Sequence, residues 1–274
     1  MAPKLFIGKH PSQESFGGYT SAEDCQTKRE VPHRALIQHD QHRDKTVQQL
    51  RAALVKHHAS AAMIARDQRI KENLRTQGYP IYEAVAHRFP RSSTTRKGNL
   101  AEVFLAEYIC AASDADLPIY RLRYNPNVEQ SMKGDDVLAF DFSSKRPCIL
   151  VGEAKYRGTP SKQAVQDIVR GLIRSHQAGL PVSLQFVADR LYEANNIDLA
   201  DRVADCSLQM AKGRLKIRYV GLLLSNAKSK SQVDKHTDGS LRKLVMISLG
   251  MGNPAQLVQD CFEGIEVQAY GNSK

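Results

Sequence analysis

The sequence predicts a mixed α/β fold, a central sheet flanked by helices, preceded by a basic and mainly helical N-terminal region. Three observations predict it. Apolar residues recur at helical spacing in several separate windows. Short runs rich in β-branched and aromatic residues lie between those windows. From about residue 97 onward the two kinds of segment interleave, which is the pattern of a sheet covered by helices. A chain of 274 residues accommodates one large domain, or one core with an extension. The expected division is a basic region at 1–96, for regulation, partner contact or DNA contact, and a core at 97–274.

The elements follow in order. Residues 1–42 are weakly periodic, with one short strand expected at 4–7. Over 45–75, Val47, Leu50, Ala53, Leu54, His57 and His58 recur at helical spacing, with a restart near Ala61 and a stop at Gly78 and Pro80. After the loop RSSTTRKG, Leu100, Val103, Phe104, Tyr108 and Ile109 form one stripe, which predicts an amphipathic helix over 99–112. Apolar runs at 119–124, 137–142 and 149–156 read as strands. Ser161 caps a helix carrying Val165, Ile168, Val169, Leu172 and Ile173, closed near Gly179. A strand is expected at 182–188, helix over 191–212, and buried strands at 215–224 and 244–249 around a polar loop at 227–240. A short helix at 256–262 and a last strand at 265–270 complete the reading.

Charge bears on partners. The chain carries 39 Lys and Arg against 29 Asp and Glu, a net charge of +10. Residues 43–97 hold twelve basic and four acidic residues, so most of the excess lies there. This excludes an acidic disordered chain and favours a polyanionic partner. No apolar window is long enough to span a bilayer, and the first residues lack the apolar run of a signal peptide. Five scattered cysteines without CxxC spacing argue against a disulfide framework or a zinc knuckle. A cytoplasmic protein is expected. His39 and His42, and the adjacent His57 and His58, lack further ligands at zinc spacing. Neither a P-loop nor a GxSxG elbow is present.

The chemistry is concentrated in KGDDVLAFDF and CILVGEAKYR. On a strand, alternate side chains share a face, so Glu153 and Lys155 point the same way. They end an apolar strand, where the desolvation of two charges must be offset by partners. If the two runs form a hairpin, Asp136 at the start of one reaches Glu153 at the end of the other. Two carboxylates there suit Mg²⁺, which keeps several waters and takes few protein ligands. Lys155 would stand beside the reacting water and stabilise developing charge. The spacing therefore points to metal-dependent hydrolysis of a phosphodiester. Asp135 and Asp141 remain alternatives to Asp136. The competing account is a surface Glu153–Lys155 ion pair beside a turn Asp pair.

GDD followed by VGEAK resembles the D…ExK core of the PD-(D/E)XK nucleases, which implies a restriction-endonuclease-like fold. The order GNLAE, KGDD, GEAKY resembles the HamA family, the effector nucleases of Hachiman anti-phage systems. The motif resemblance covers roughly residues 95–175. It implies that Asp136 and Glu153 ligate Mg²⁺, or Mn²⁺ in its place, and that Lys155 is catalytic. It further implies Glu102, on the helix before the strands, as an additional ligand, and the main-chain carbonyl of Ala154 as another. It implies a superfamily-two helicase partner of the HamB type. DNA contact is expected from Arg96, Lys97, Arg157, Lys228 and Lys230, which neutralise phosphates without reading sequence. A non-catalytic DNA-binding scaffold subunit and an RNA-directed nuclease are the alternative functions.

Overall fold

The computed structural model describes residues 2–79, 87–144 and 146–271. Its six strands are β1 (Thr20–Gln26), β2 (Pro32–Gln38), β3 (Val137–Asp141), β4 (Cys148–Tyr156), β5 (Lys216–Asn226) and β6 (Leu244–Met251). They form one sheet in the order β1-β2-β6-β5-β4-β3. The inner strands β2, β6, β5 and β4 are parallel to one another. Antiparallel pairs, β1 with β2 and β3 with β4, form the two edges.

The helices are α1 (Lys4–Ile7), α2 (Arg43–His58), α3 (Ala61–Thr76), α4 (Ser93–Ala112), α5 (Lys162–Gln177), α6 (Leu184–Glu193), α7 (Ile197–Ala204), α8 (Cys206–Ala211), α9 (Ser229–His236), α10 (Pro254–Phe262) and α11 (Ile265–Tyr270). One face of the sheet packs on α4, α2 and α10, through residues such as Leu105, Phe104, Leu54 and Phe262. The other packs on α5, α6 and α7, through Ile168, Leu172, Leu191 and Val203. Covered on both faces, the central strands carry near-continuous apolar runs, and all eight residues of β6 are buried. Each fully buried Leu or Phe contributes about 1.5–3 kcal/mol. This is the mixed sheet flanked by helices that the sequence predicts, in keeping with a restriction-endonuclease-like core.

Several elements differ from expectation. Residues 4–7 are helical, because Phe6 and Ile7 turn inward together over a single turn. Residues 119–124 contain no strand. A 3-10 turn over Arg121–Tyr124 buries Arg121 and Leu122 instead. Residues 182–188 begin α6, whose buried positions Leu184, Val187, Ala188 and Leu191 follow helical rather than alternating spacing. The polar loop at 227–240 contains α9, which buries little beyond Val233. Residues 265–270 form α11, not a strand. The helix expected from 99 begins at Ser93. Gly78 follows α3, while Pro80 lies outside the described residues.

Two strands were not expected. β1 is an edge strand with a mostly exposed polar sequence, TSAEDCQ, and gives no alternation to read. β2 pairs with β6, so the sheet itself runs across the expected division at residue 96. The basic stretch lies in α2 and α3. α2 docks on α4, where His57 Nε2 meets Glu107 at 2.8 Å. α3 is largely exposed and buries Asp67.

Candidate active site

Two structural features bring the predicted residues together. The hairpin β3–β4 pairs Val137 with Gly152, which places Asp136 level with the Glu153-Ala154-Lys155 end of β4. Helix α4 crosses behind this end and brings Glu102 with it. Two glycines make the close approach feasible. A Cβ on Gly152 would meet Val137 Cβ at 2.8 Å and Leu105 Cδ2 at 2.9 Å, which would push α4 away from the hairpin. A Cβ on Gly171 of α5 would stand 2.7 Å from the carboxyl carbon of Glu153, so the helix is thinned where that side chain lies.

Asp136 precedes β3 and extends its ladder by side chain. The Ala154 N–H donates to Asp136 Oδ2 at 2.9 Å, taking the place of the next backbone rung. In an extended strand the N–H and C=O of one residue face the same side, so the Ala154 carbonyl also faces this end. Lys155 Nζ donates to Glu153 Oε1 at 2.5 Å, which confirms that the two side chains share a face. Both are partly accessible, Lys155 at 29% and Glu153 at 14%. Glu102, Asp136, Glu153, Ala154 and Lys155 all line one open cleft of about 780 Å³.

The electrostatics are those of crowded acids. Burial, then repulsion from Asp136, pushes Glu102 up to about 8, against the pull of Arg121 and Lys155. Burial and Asp136 likewise raise Glu153 to about 7, although Lys155 opposes this. Asp136 is raised by burial despite Lys155, the Ala154 N–H and Arg121. Burial works against the Lys155 ammonium, but Glu153, Asp136 and Glu102 hold it above its ordinary range. Three carboxylates crowd around Lys155, with Arg121 and Arg174 nearby, and their mutual repulsion keeps Glu102 and Glu153 raised. All the donors are oxygen atoms, the set that suits Mg²⁺ or Mn²⁺. Among the described residues, the one group of three His, Cys, Asp or Glu donors lying within 4.8 Å of one another is elsewhere, at Cys25, His33 and Asp234. The cleft carboxylates are therefore splayed wider.

The alternatives to Asp136 have other work. Asp135 Oδ2 accepts from the Ser183 N–H at 2.9 Å, and the Asp135 N–H donates to Ser183 Oγ at 2.9 Å. This reciprocal pair anchors the start of α6. Asp141 Oδ1 accepts from the N–H and hydroxyl of Ser143 in the turn at the far end of the hairpin.

The expected DNA-contact residues divide. Lys97 and Arg157 line the cleft, with the Lys97 ammonium 5.8 Å from the centre of the Tyr156 ring. Arg96 does not line it: its Nε donates to the Pro90 carbonyl, and its guanidinium stacks on Phe262. Lys228 and Lys230 lie by α9, and Lys230 is paired with Glu23 at 2.6 Å. His58 is a structural tie between α2 and α4. Its Nδ1–H donates to the Leu54 carbonyl, its Nε2 accepts from Asn99 Nδ2, and burial pushes it down to about 4.

One site residue was missed. Arg121 is buried and shares a small cavity with Glu102 and Asp136. Its Nη2 donates to the Met132 carbonyl, while Nε and Nη1 have no hydrogen-bond partner among the described residues. Two arginines, Arg121 and Arg123, within a run of apolar and aromatic residues were the available signal. Arg174, on α5 beside Glu153, also lines the cleft.

Known proteins place the chain. A family model described as HamA matches residues 17–265. "Hachiman protein HamA" of Bacillus cereus is 35% identical over 260 residues, covering 95% of this chain and 94% of that protein. Nearly the whole fold, from β1 through α10, is included in the family match, so the chain belongs to the HamA family.

Proposed function

We propose that this chain is a Mg²⁺-dependent nuclease of PD-(D/E)XK type that hydrolyses DNA phosphodiester bonds. The observation that carries the reading is the meeting of Asp136, Glu153, Lys155 and Glu102 at one end of a hairpin, in a cleft also lined by Lys97 and Arg157. Asp136 and Glu153 hold the cation, with the Ala154 carbonyl alongside and Glu102 behind. The Ala154 N–H fixes the Asp136 carboxylate. A bound Mg²⁺ supplies Lewis-acid charge at the scissile phosphate. Lys155 orients the attacking water and stabilises charge developing on the phosphate, at an angle set by Glu153. Lys97 and Arg157 hold the flanking phosphates without regard to base sequence.

By its family, we further propose that the chain is the effector of an anti-phage defence system. It would act in the cytoplasm with a superfamily-two helicase of the HamB kind. Among the described residues no helix is long and apolar enough to cross a membrane. The exposed face of α3 that carries Arg66 and Arg69 is the surface proposed for that partner.

The test is cutting by the purified chain with Mg²⁺ or with EDTA. Supercoiled plasmid, linear duplex, single-stranded DNA and total RNA are the substrates. Nicking or degradation of DNA that requires Mg²⁺ is the expected result. Cutting of RNA alone makes the chain an RNA-directed nuclease. Salt-dependent DNA binding without cutting, in the chain alone and with its helicase, makes it a scaffold subunit.

A further inference from the structure

A second constellation lies at the opposite edge of the sheet. Cys25 on β1 stands directly across from His33 on β2 in the antiparallel register. Asp234 reaches both from α9. His33 Nδ1 is 2.6 Å from Asp234 Oδ1 and 3.5 Å from Cys25 Sγ. His33 is fully buried, while Cys25 and Asp234 are half-buried. The three donors thus come from three elements and meet beside an edge strand with access to solvent.

The single nitrogen at their centre cannot serve both neighbours. An imidazole Nδ1 carries either a hydrogen or a lone pair. As a donor it satisfies the Asp234 carboxylate and leaves Cys25 Sγ unmatched. As an acceptor it matches the thiol but turns a lone pair on a carboxylate oxygen 2.6 Å away. A cation held by Sγ, Nδ1 and Oδ1 satisfies all three at once, with the Asp234 carboxylate drawn back from its present hydrogen-bond distance. The ring proton then sits on Nε2, which is 2.8 Å from Ser248 Oγ. An outer hydrogen bond of this kind fixes the tautomer of a metal-ligating histidine. Ser248 is fully buried on β6, so it orients the ring and is closed to substrates. The Lys28 N–H donates to the Asp234 carbonyl at 3.0 Å, which holds the hairpin turn against the helix turn that carries the carboxylate.

We propose that Cys25, His33 and Asp234 form a zinc site that clips the edge hairpin β1–β2 to α9. A thiolate, an imidazole and a carboxylate suit Zn²⁺, with water completing a tetrahedron. Mg²⁺ prefers the all-oxygen set of the cleft. The clip secures a polar edge strand that has little apolar surface of its own.

Co²⁺ is the probe, added under reducing conditions to the full, metal-stripped chain. Binding at this site gives the near-ultraviolet charge-transfer band of a cobalt thiolate, and Zn²⁺ abolishes it. Cys25→Ser loses the band. Ser248→Ala weakens binding by roughly 10–100-fold, and Asp234→Asn, which removes a ligand, weakens it at least as much. Both Cys25 and Asp234 are half-buried, and circular dichroism checks that their variants fold. Glu102→Ala and Glu153→Ala keep the band, which separates this site from the cleft. Absence of the band from the wild-type chain, or its survival in Cys25→Ser, overturns the proposal.

Discussion

Asp67 on α3 and Glu102 on α4 are both carboxylates enclosed by protein, and their surroundings act on them in opposite directions. Asp67 is 2% exposed and receives a two-point contact from Arg88, at 2.8 and 3.1 Å, with Arg66 at 3.3 Å. Burial opposes its charge, but Arg88 and Arg66 more than offset this and hold it below the usual carboxylate range. Glu102 has Asp136 and Glu153 as neighbours and is pushed up to about 8. A carboxylate that stabilises the fold finds its cation within the chain. The cleft carboxylates press on one another, and Lys155 and Arg121 only partly offset this, so Glu102 stays raised. The structural acid and the proposed catalytic acids are told apart here by their charged neighbours, not by burial.

The comparison can be broken most forcefully at the cleft. Glu153→Gln, Lys155→Ala and Asp136→Asn are each expected to lower DNA cutting about a thousand-fold, since a Lewis-acid or charge-stabilising contribution amounts to several kcal/mol. Their circular dichroism should match the parent. Single-turnover plasmid cleavage is the measurement, and near-normal cutting by any of the three would remove that residue from the mechanism.

The structural side should respond in the reverse sense. Asp67→Asn leaves Arg88 without its partner and is expected to cost about 3 kcal/mol in urea unfolding. Asp135→Ala removes the anchor of α6 and should cost about 1 kcal/mol. Both variants should cut DNA normally when folded. A loss of cutting in folded Asp135→Ala would mean that the neighbouring Asp136 had been given the wrong role.

Stability against pH sharpens the contrast further. Glu102 and Glu153 have folded values near 8 and 7, above their ordinary 4.5, so the folded chain binds more protons than the unfolded chain between these limits. Their stabilising contribution is full below 4.5 and is lost as pH rises through 7 and 8. Asp67, held below 3.8, contributes in the other sense, and its share is lost only as pH falls through its lowered value. With EDTA, melting temperature should therefore decline from about pH 5 to about pH 8, and Mg²⁺ should reduce the decline. Identical curves with and without Mg²⁺ would argue against a cation in the cleft.

The smallest effects belong to the rim. Lys97→Ala and Arg157→Ala should each reduce the salt slope of DNA binding by about one, uniformly across sequences. Lys228→Ala and Lys230→Ala, which lie away from the cleft, should leave that slope unchanged.

The legible parts of the sequence were those with strong periodicity or chemistry out of place. The α5 stripe and its Ser161 cap, the β4–β5–β6 apolar runs and the ExK pair all announced themselves. The convergence of an aspartate near 135–136 with Glu153 followed from hairpin spacing, and the family resemblance pointed to Asp136. The edge strand β1 was illegible because one-sided exposure removes the apolar alternation that marks a strand. Short segments such as 4–7 and 265–270 fit either period, and only their tertiary neighbours decide. Arg121 was hidden because its role depends on a 3-10 turn that carries it beneath Glu102 and Asp136. The cluster at Cys25 was hidden because its third member, Asp234, lies 201 positions from His33.

Titration of Mn²⁺ into the metal-free chain, read by the loss of its free-ion electron paramagnetic resonance signal, tests the central claim most directly. The account predicts that the wild-type chain and Asp67→Asn remove Mn²⁺ from solution equally well. The double variant Asp136→Asn with Glu153→Gln should fail to do so while remaining folded. Equal uptake by the double variant and the wild-type chain would contradict the claim that the cleft carboxylates are there to hold a cation.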